Sequence, residues 1–295
     1  MTTQTKLIKQ AVIPAAGLGS RFLPTTKCTP KELIPLVDRP CIDHVVDEAI
    51  AAGVEEFIFV ISPEKDKVLD YYRPNAHLNK WLAERGQSDV LERLQALEKK
   101  ARFDFVYQTE PLGLGHAVLC ARPKITSDWF FVILPDDIID STVPVCRQMA
   151  NAFAEEKTPL VSVMSVAWED VHRYGIVQAH PLTEQRGKLV QIVEKPARDD
   201  APSNLAVVGR YVLPQSIFTI LEKLPPGSGG EIQLTDALEQ LVQAPGLHSW
   251  VFQGMRYDTG NPLGWLKANI GLSLKNEKLR GPLQEFLKFL GGAIS

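Results

Sequence analysis

Five short apolar runs, at 11–16 (AVIPAA), 56–62 (EFIFVIS), 103–108 (FDFVYQ), 129–135 (WFFVILP) and 160–167 (LVSVMSVA), constrain the fold of this chain more than any other feature. Each is continuous and rich in Val, Ile and Phe, as strands buried on both faces are. Helical patterns lie between them at 41–53, 114–122 and 143–156. The alternation predicts an α/β fold: a Rossmann-like α/β/α sandwich with a mostly parallel central mixed sheet. Beyond about residue 172 the pattern changes. Segments 174–181 and 188–196 alternate polar and apolar residues around TEQRG, which reads as a hairpin. A strand at 205–213, helices at 214–224 and 231–243 around the PPGSGG loop, and a strand at 248–254 follow. Residues 64–102 read as a polar, helix-prone insertion in which no chemistry is visible. The expected organisation is one body over 1–275 and a helical tail over 276–295, packed on the body or on another subunit.

With 295 residues, 45% of them hydrophobic, the chain can bury a core without disulfides or a structural metal. Its net charge of -3 offers no general attraction to nucleic acid or to anionic lipid, so neither is expected as a partner. An anionic ligand would need a local cluster of Lys and Arg. Cys28, Cys41, Cys120 and Cys146 form no C-x-x-C pair and no zinc spacing. Isolated thiols suit a reducing cytoplasm. The apolar stretch after the first ten residues is short and rich in Gly and Pro, unlike a signal peptide or a membrane span. A cytoplasmic location is therefore expected.

The first candidate site follows the first strand. Residues 15–35 (AAGLGSRFLPTTKCTPKELIP) form a Gly-rich turn whose backbone can approach phosphate oxygens closely. Phe22 stands where a dinucleotide-binding G-x-G-x-x-G would need its third glycine, and no P-loop pattern occurs. Arg21, Lys27 and Lys31 follow the glycines in a loop stiffened by Pro24, Pro30 and Pro35. The second site, 108–117 (QTEPLGLGHA), again joins a strand to a helix, and glycines before a helix N-terminus suit an anionic or polar ligand. His116 reads as a structural histidine there. The third is Leu134-Pro135-Asp136-Asp137 at the end of a buried strand, the edge at which α/β sheets bind ligands.

The string from Gly17 to Lys31 resembles the signature of the nucleotide-sugar pyrophosphorylase family, close to G-x-G-[TS]-R-x-x-P-x-T-x-x-x-P-K, with Ser20 where threonine is commoner. The E-P-L-G-L-G-H-A run resembles the bacterial UTP–glucose-1-phosphate uridylyltransferase branch of that family. The resemblance spans roughly residues 8–275, with the motifs in order. It implies that Ala16, Gly17, Leu18, Gly19, Glu32, Gln108 and Gly113 bind the nucleotide, and that Arg21 and Lys31 neutralise its phosphates. Asp136 and Asp258 are implied as ligands of Mg²⁺. Asp137, Gly175, Glu194, Lys195 and Val208 fall on the sugar-phosphate side, with Lys195 holding the incoming phosphate. The implied substrates are UTP and glucose-1-phosphate, and the implied assembly is a homodimer or homotetramer. A sister enzyme using dTTP or another sugar-1-phosphate, a non-catalytic regulatory paralogue and an NAD oxidoreductase remain as alternatives.

Overall fold

The computed structural model describes residues 8–227, 230–243 and 246–294. Its strands are β1 (Gln10–Pro14), β2 (Pro35–Leu36), β3 (Arg39–Pro40), β4 (Glu56–Ile61), β5 (Arg102–Tyr107), β6 (Trp129–Ile133), β7 (Asp137–Asp140), β8 (Leu160–Ser165), β9 (Gly175–Pro181), β10 (Arg186–Glu194), β11 (Leu205–Pro214), β12 (His248–Val251) and β13 (Met255–Asp258). The helices are α1 (Cys41–Ala52), α2 (Lys67–Asp70), α3 (Ala76–Glu84), α4 (Ser88–Lys99), α5 (Leu114–Cys120), α6 (Val145–Glu156), α7 (Ile217–Leu221), α8 (Leu234–Gln243), α9 (Pro262–Ser273) and α10 (Glu277–Ile294).

Nine strands form one sheet in the order β5-β4-β1-β6-β11-β8-β12-β10-β9. The first four are mutually parallel, as the apolar runs predict. β11 enters antiparallel between β6 and β8, β8 and β12 then pair in parallel, and β10 runs antiparallel to both β12 and β9, so the sheet is mixed, as expected. The continuous apolar runs are explained by burial on both faces. In β4, Phe57, Phe59 and Ile61 face a core shared with α1 and α6, while Ile58 and Val60 face a second core shared with α5, α7 and α8. Alternation of side chains along a strand sends neighbours to opposite cores.

Some boundaries move. The helix expected at 214–224 shrinks to α7 because β11 runs on through Pro214. The insertion begins with a 3-10 turn, Pro63–Lys65, followed by α2 to α4. The C-terminal helix starts at Glu277 and carries Pro282 inside it. The loop residues Ser228 and Gly229 lie outside the described residues. No helix among those described is long and apolar enough to cross a membrane.

Because β5, β4, β1 and β6 run in one direction, their C-terminal ends lie along one edge. That edge gathers the Gly-rich loop, the turn at 62–65, Gln108 and Asp136, which are remote in sequence. Beneath it, Arg210 of β11 is fully buried. Its five N–H groups are all used: Nε and Nη2 hold Glu48 of α1 at 2.9 and 2.8 Å, Nη1 reaches the carbonyls of Leu134 and Gly209, and Nη2 also reaches that of Asp137 at 2.7 Å. This guanidinium braces the chain on both sides of Asp136. Replacing it strands a buried carboxylate, so Arg210→Met should cost about 3–5 kcal/mol in urea denaturation, and adding Glu48→Met should recover most of that loss.

Candidate active site

Two adjoining cavities open along the strand edge. The first, about 500 Å³, is lined by Ala16, Gly17, Leu18, Lys31, Glu32, Gln108, Gly113 and Glu231, among others. The second, about 430 Å³, is lined by Arg21, Asp137, Arg173, Tyr174, Gly175, Glu194, Lys195, Thr235, Arg256 and Asp258, among others. Asp136 and its neighbour Leu134 border both.

Glycines let backbone segments meet in the first cavity. Gly113 sits at φ +95°, and a Cβ there would lie 2.8 Å from the Ile232 carbonyl; one on Gly115 would lie 2.7 Å from it. The contact is a backbone ladder, with Gly115 N–H donating to Ile232 O and Ile232 N–H to Leu112 O, both at 2.8 Å. The GEIQLTDA segment (230–237), to which the resemblance gives no more than a part in lining the sugar pocket, thus also shapes the LGLG turn, while its Gln233, Leu234 and Thr235 line the second cavity. The Gln108 amide donates to Gly113 O at 3.1 Å and lies 3.1 Å from His116 Nδ1. His116 thus orients Gln108, the structural part expected of it.

The charged groups at the junction are paired. Lys31 Nζ donates to Asp136 Oδ2 at 2.6 Å. Burial alone would depress the Lys31 ammonium and raise the Asp136 carboxyl. Their mutual attraction reverses both, so Lys31 titrates above and Asp136 below the usual range. Asp137 points the other way, taking Arg256 Nε on Oδ1 at 2.5 Å, while Arg256 Nη1 donates to the Tyr174 hydroxyl at 3.0 Å. Burial raises the Asp137 carboxyl in spite of this cation. Glu194 accepts from Thr235 at 2.5 Å and pairs with Lys195 at 3.1 Å. Lys195 itself adopts φ +45°, a left-handed conformation rare outside glycine and frequent at functional sites.

β13 pairs with β7 so that Asp258 stands opposite Asp137. A Cβ on Gly260 would fall 2.9 Å from Asp136 Oδ2 and 3.1 Å from Asp258 Oδ1. Both carboxylates therefore face the gap that the missing Cβ leaves. Two hard oxygen donors with room for water and phosphate oxygens fit a small divalent cation. Among the described residues no cluster of three or more His, Cys, Asp or Glu forms a complete metal cage.

Most residues named from sequence thus meet at this edge, with three qualifications. Gly19 packs against Thr26 and Lys31 and is not part of either cavity wall. Val208 is buried in the core, and its neighbours Val207 and Gly209 line the second cavity instead. Arg21 lies in the wall of the second cavity, across the junction from the Gly-rich loop residues that line the first. The sequence reading missed Arg256, Arg173 and Lys65. Arg256 was within reach, since it lies two residues before Asp258 on one strand and so shares its face.

A family model described as nucleotidyl transferase matches residues 10–273. The chain belongs to this nucleotidyl transferase family. It is 40% identical over 287 residues to a UTP–glucose-1-phosphate uridylyltransferase of Bacillus subtilis, covering 97% of this chain and 98% of that protein. One of the same name from Staphylococcus haemolyticus is 42% identical over 286 residues, covering 97% and 99%. Among solved structures, a UTP-bound UGPase from Acinetobacter baumannii superposes with a TM-score of 0.88 at 38% identity, covering 95% of this chain and 98% of that one. A UDP-glucose pyrophosphorylase complexed with UDP-glucose gives 0.84 at 37%, covering 91% and 99%.

Within this family fold, the Gly113 contact gives the site a measurable weak point. Gly113→Ala places a Cβ against backbone at a positive φ, where neither side can yield cheaply. It should destabilise the protein by about 1–3 kcal/mol in urea denaturation.

Proposed function

We propose that the chain transfers UMP from UTP to glucose-1-phosphate, giving UDP-glucose and pyrophosphate. The observation that carries this reading is the pair of cavities meeting at Asp136, one walled by the Gly-rich loop and Gln108, the other by Gly175, Glu194 and Lys195. Two substrates laid in them would bring their phosphates together at that carboxylate. Relatives at about 40% identity over almost the whole chain bear the corresponding name.

An oxygen of the glucose-1-phosphate phosphate attacks the α-phosphorus of UTP; the bond to the bridging oxygen breaks and pyrophosphate leaves. The attacking oxygen is already an anion, so no side-chain base is required. The obstacle is repulsion: two unit charges 4 Å apart at an effective dielectric of 20 cost about 4 kcal/mol. Positioning and charge neutralisation are the usual answers. Lys31, on the nucleotide side, has a phosphate oxygen as an alternative acceptor to Asp136. Arg21 neutralises charge at the junction, and Lys195, with its side chain 57% exposed, is free to meet the sugar phosphate. Asp136 and Asp258 would hold Mg²⁺, which when bound screens the phosphate charge. Partly buried Glu194 and buried Asp137 suit the sugar hydroxyls.

The wider assignments follow the same reading. Residues 1–275 form the catalytic body, working in the cytoplasm, where its free thiols are stable. The tail at 276–295 joins copies into a homodimer or homotetramer through exposed Leu279, Phe286 and Phe289; a single-chain mass by light scattering would refute this.

The test of function is pyrophosphate release from purified protein with Mg²⁺, UTP and glucose-1-phosphate, with dTTP and other sugar phosphates in parallel. Release with UTP and glucose-1-phosphate above all other pairs is expected; preference for another pair moves the substrate, and no release with any pair removes the activity. Arg256→Gln should raise KM for glucose-1-phosphate about tenfold or more, the worth of a charged hydrogen bond, while KM for UTP stays within about threefold. Equal changes in both constants would detach Arg256 from the sugar side.

A further inference from the structure

Lys65 comes from the segment in which sequence reveals no chemistry, and it is buried. Its ammonium donates to the Ala15 carbonyl at 2.7 Å and the Gly17 carbonyl at 2.5 Å. It also holds both oxygens of Glu32, at 3.0 and 2.9 Å. The Glu32 carboxylate has no exposed surface, so although the residue borders the first cavity, its charge is turned away from any occupant.

A trans peptide sets each carbonyl antiparallel to the N–H of the next residue. Drawing the carbonyls of Ala15 and Gly17 onto one cation therefore turns the N–H groups of Ala16 and Leu18 to the opposite side. Both residues line the first cavity. Among the described residues neither N–H meets an acceptor, whereas the Ala15 N–H before them is tied to Val60 O at 2.7 Å. Two such donors in a Gly-rich turn form a concavity suited to anionic or carbonyl oxygens.

We infer that Lys65 is a positioning residue for the nucleotide: it grips the loop from behind through two carbonyls and so presents the Ala16 and Leu18 N–H groups to UTP. This rests on the proposed function for the identity of the nucleotide. Glu32 serves as the counterion that lets the ammonium stay buried.

Calorimetric titration of UTP into wild type, Lys65→Met and the double variant Lys65→Met/Glu32→Gln separates this from a simple ion-pair role. Lys65→Met should weaken UTP binding about ten- to hundredfold, the loss of two aimed donors, and lower the melting temperature by leaving Glu32 unpaired. The double variant removes both charges. It should regain much of the melting temperature yet bind UTP no better and no worse than Lys65→Met. KM for glucose-1-phosphate should move less than about threefold in both. Recovery of UTP affinity in the double variant would mean that Lys65 only neutralises Glu32. A further loss would mean that Glu32 itself binds the nucleotide, and a matching rise in KM for glucose-1-phosphate would mean general disorder; each overturns the assignment. Which triphosphate the wild type binds decides the proposed function separately, and the variants are compared on that same triphosphate.

Discussion

Two carboxylates in succession at the end of a buried strand are costly to hold ionised. Burial favours the neutral form of each, and each opposes the charge of the other. Asp136 and Asp137 are held by sending them to opposite sides and giving each its own cation, Lys31 for the first and Arg256 for the second. These cations come from the Gly-rich loop and from β13, more than a hundred residues away in either direction. Arg210 fixes the backbone between them and is itself neutralised by Glu48. The antiparallel entry of β11 into the sheet is what delivers Arg210 to that point. The local charge problem and the departure from parallel topology are therefore one arrangement.

Close backbone approach is the second requirement, and it accounts for glycines in separate motifs. At Gly209 an added Cβ would lie 2.4 Å from Asp137 Oδ2, and at Gly260 it would enter the gap between Asp136 and Asp258. Gly113 and Gly115 admit the Ile232 backbone in the same way. The motifs at 112–115 and 230–237 are thus two halves of one ladder, a part of the second motif that is not visible when it is read alone.

The strands and the strand-end motifs were legible because their signals are local: continuous apolar runs, glycines beside a strand, carboxylates where a strand stops. The β9–β10 hairpin was legible too, but the antiparallel insertion of β11 between β6 and β8 was not, since direction depends on where a chain returns and leaves little mark on composition. The same limit applies to cations. Lys31 and Lys195 sit inside motifs, but Lys65 lies in a polar helical stretch that differs in no visible way from a solvated surface. Only folding brings it 2.7 Å from a carbonyl fifty residues earlier. Val208 shows the converse: a motif can identify the right strand and miss which of its neighbouring residues face the cavity, because one step along a strand changes the face.

Exposure divides the cations of the site by task. Lys31 and Lys195 keep part of their side chains in contact with solvent, at 21% and 57%, and can change partners when an anion arrives. Arg210, Arg256 and Lys65, at 0%, 11% and 9%, already have fixed acceptors. Arginine suits the first two, whose planar forks span a carboxylate together with carbonyls or a hydroxyl. Lys65 must instead serve two carbonyls and a carboxylate converging on one point, and a compact ammonium with three donors meets that geometry where a wide planar fork would not. In a chain with net charge -3 the buried cations hold the frame, and the exposed ones leave local positive charge at the cavity walls, where the proposed reaction would need it.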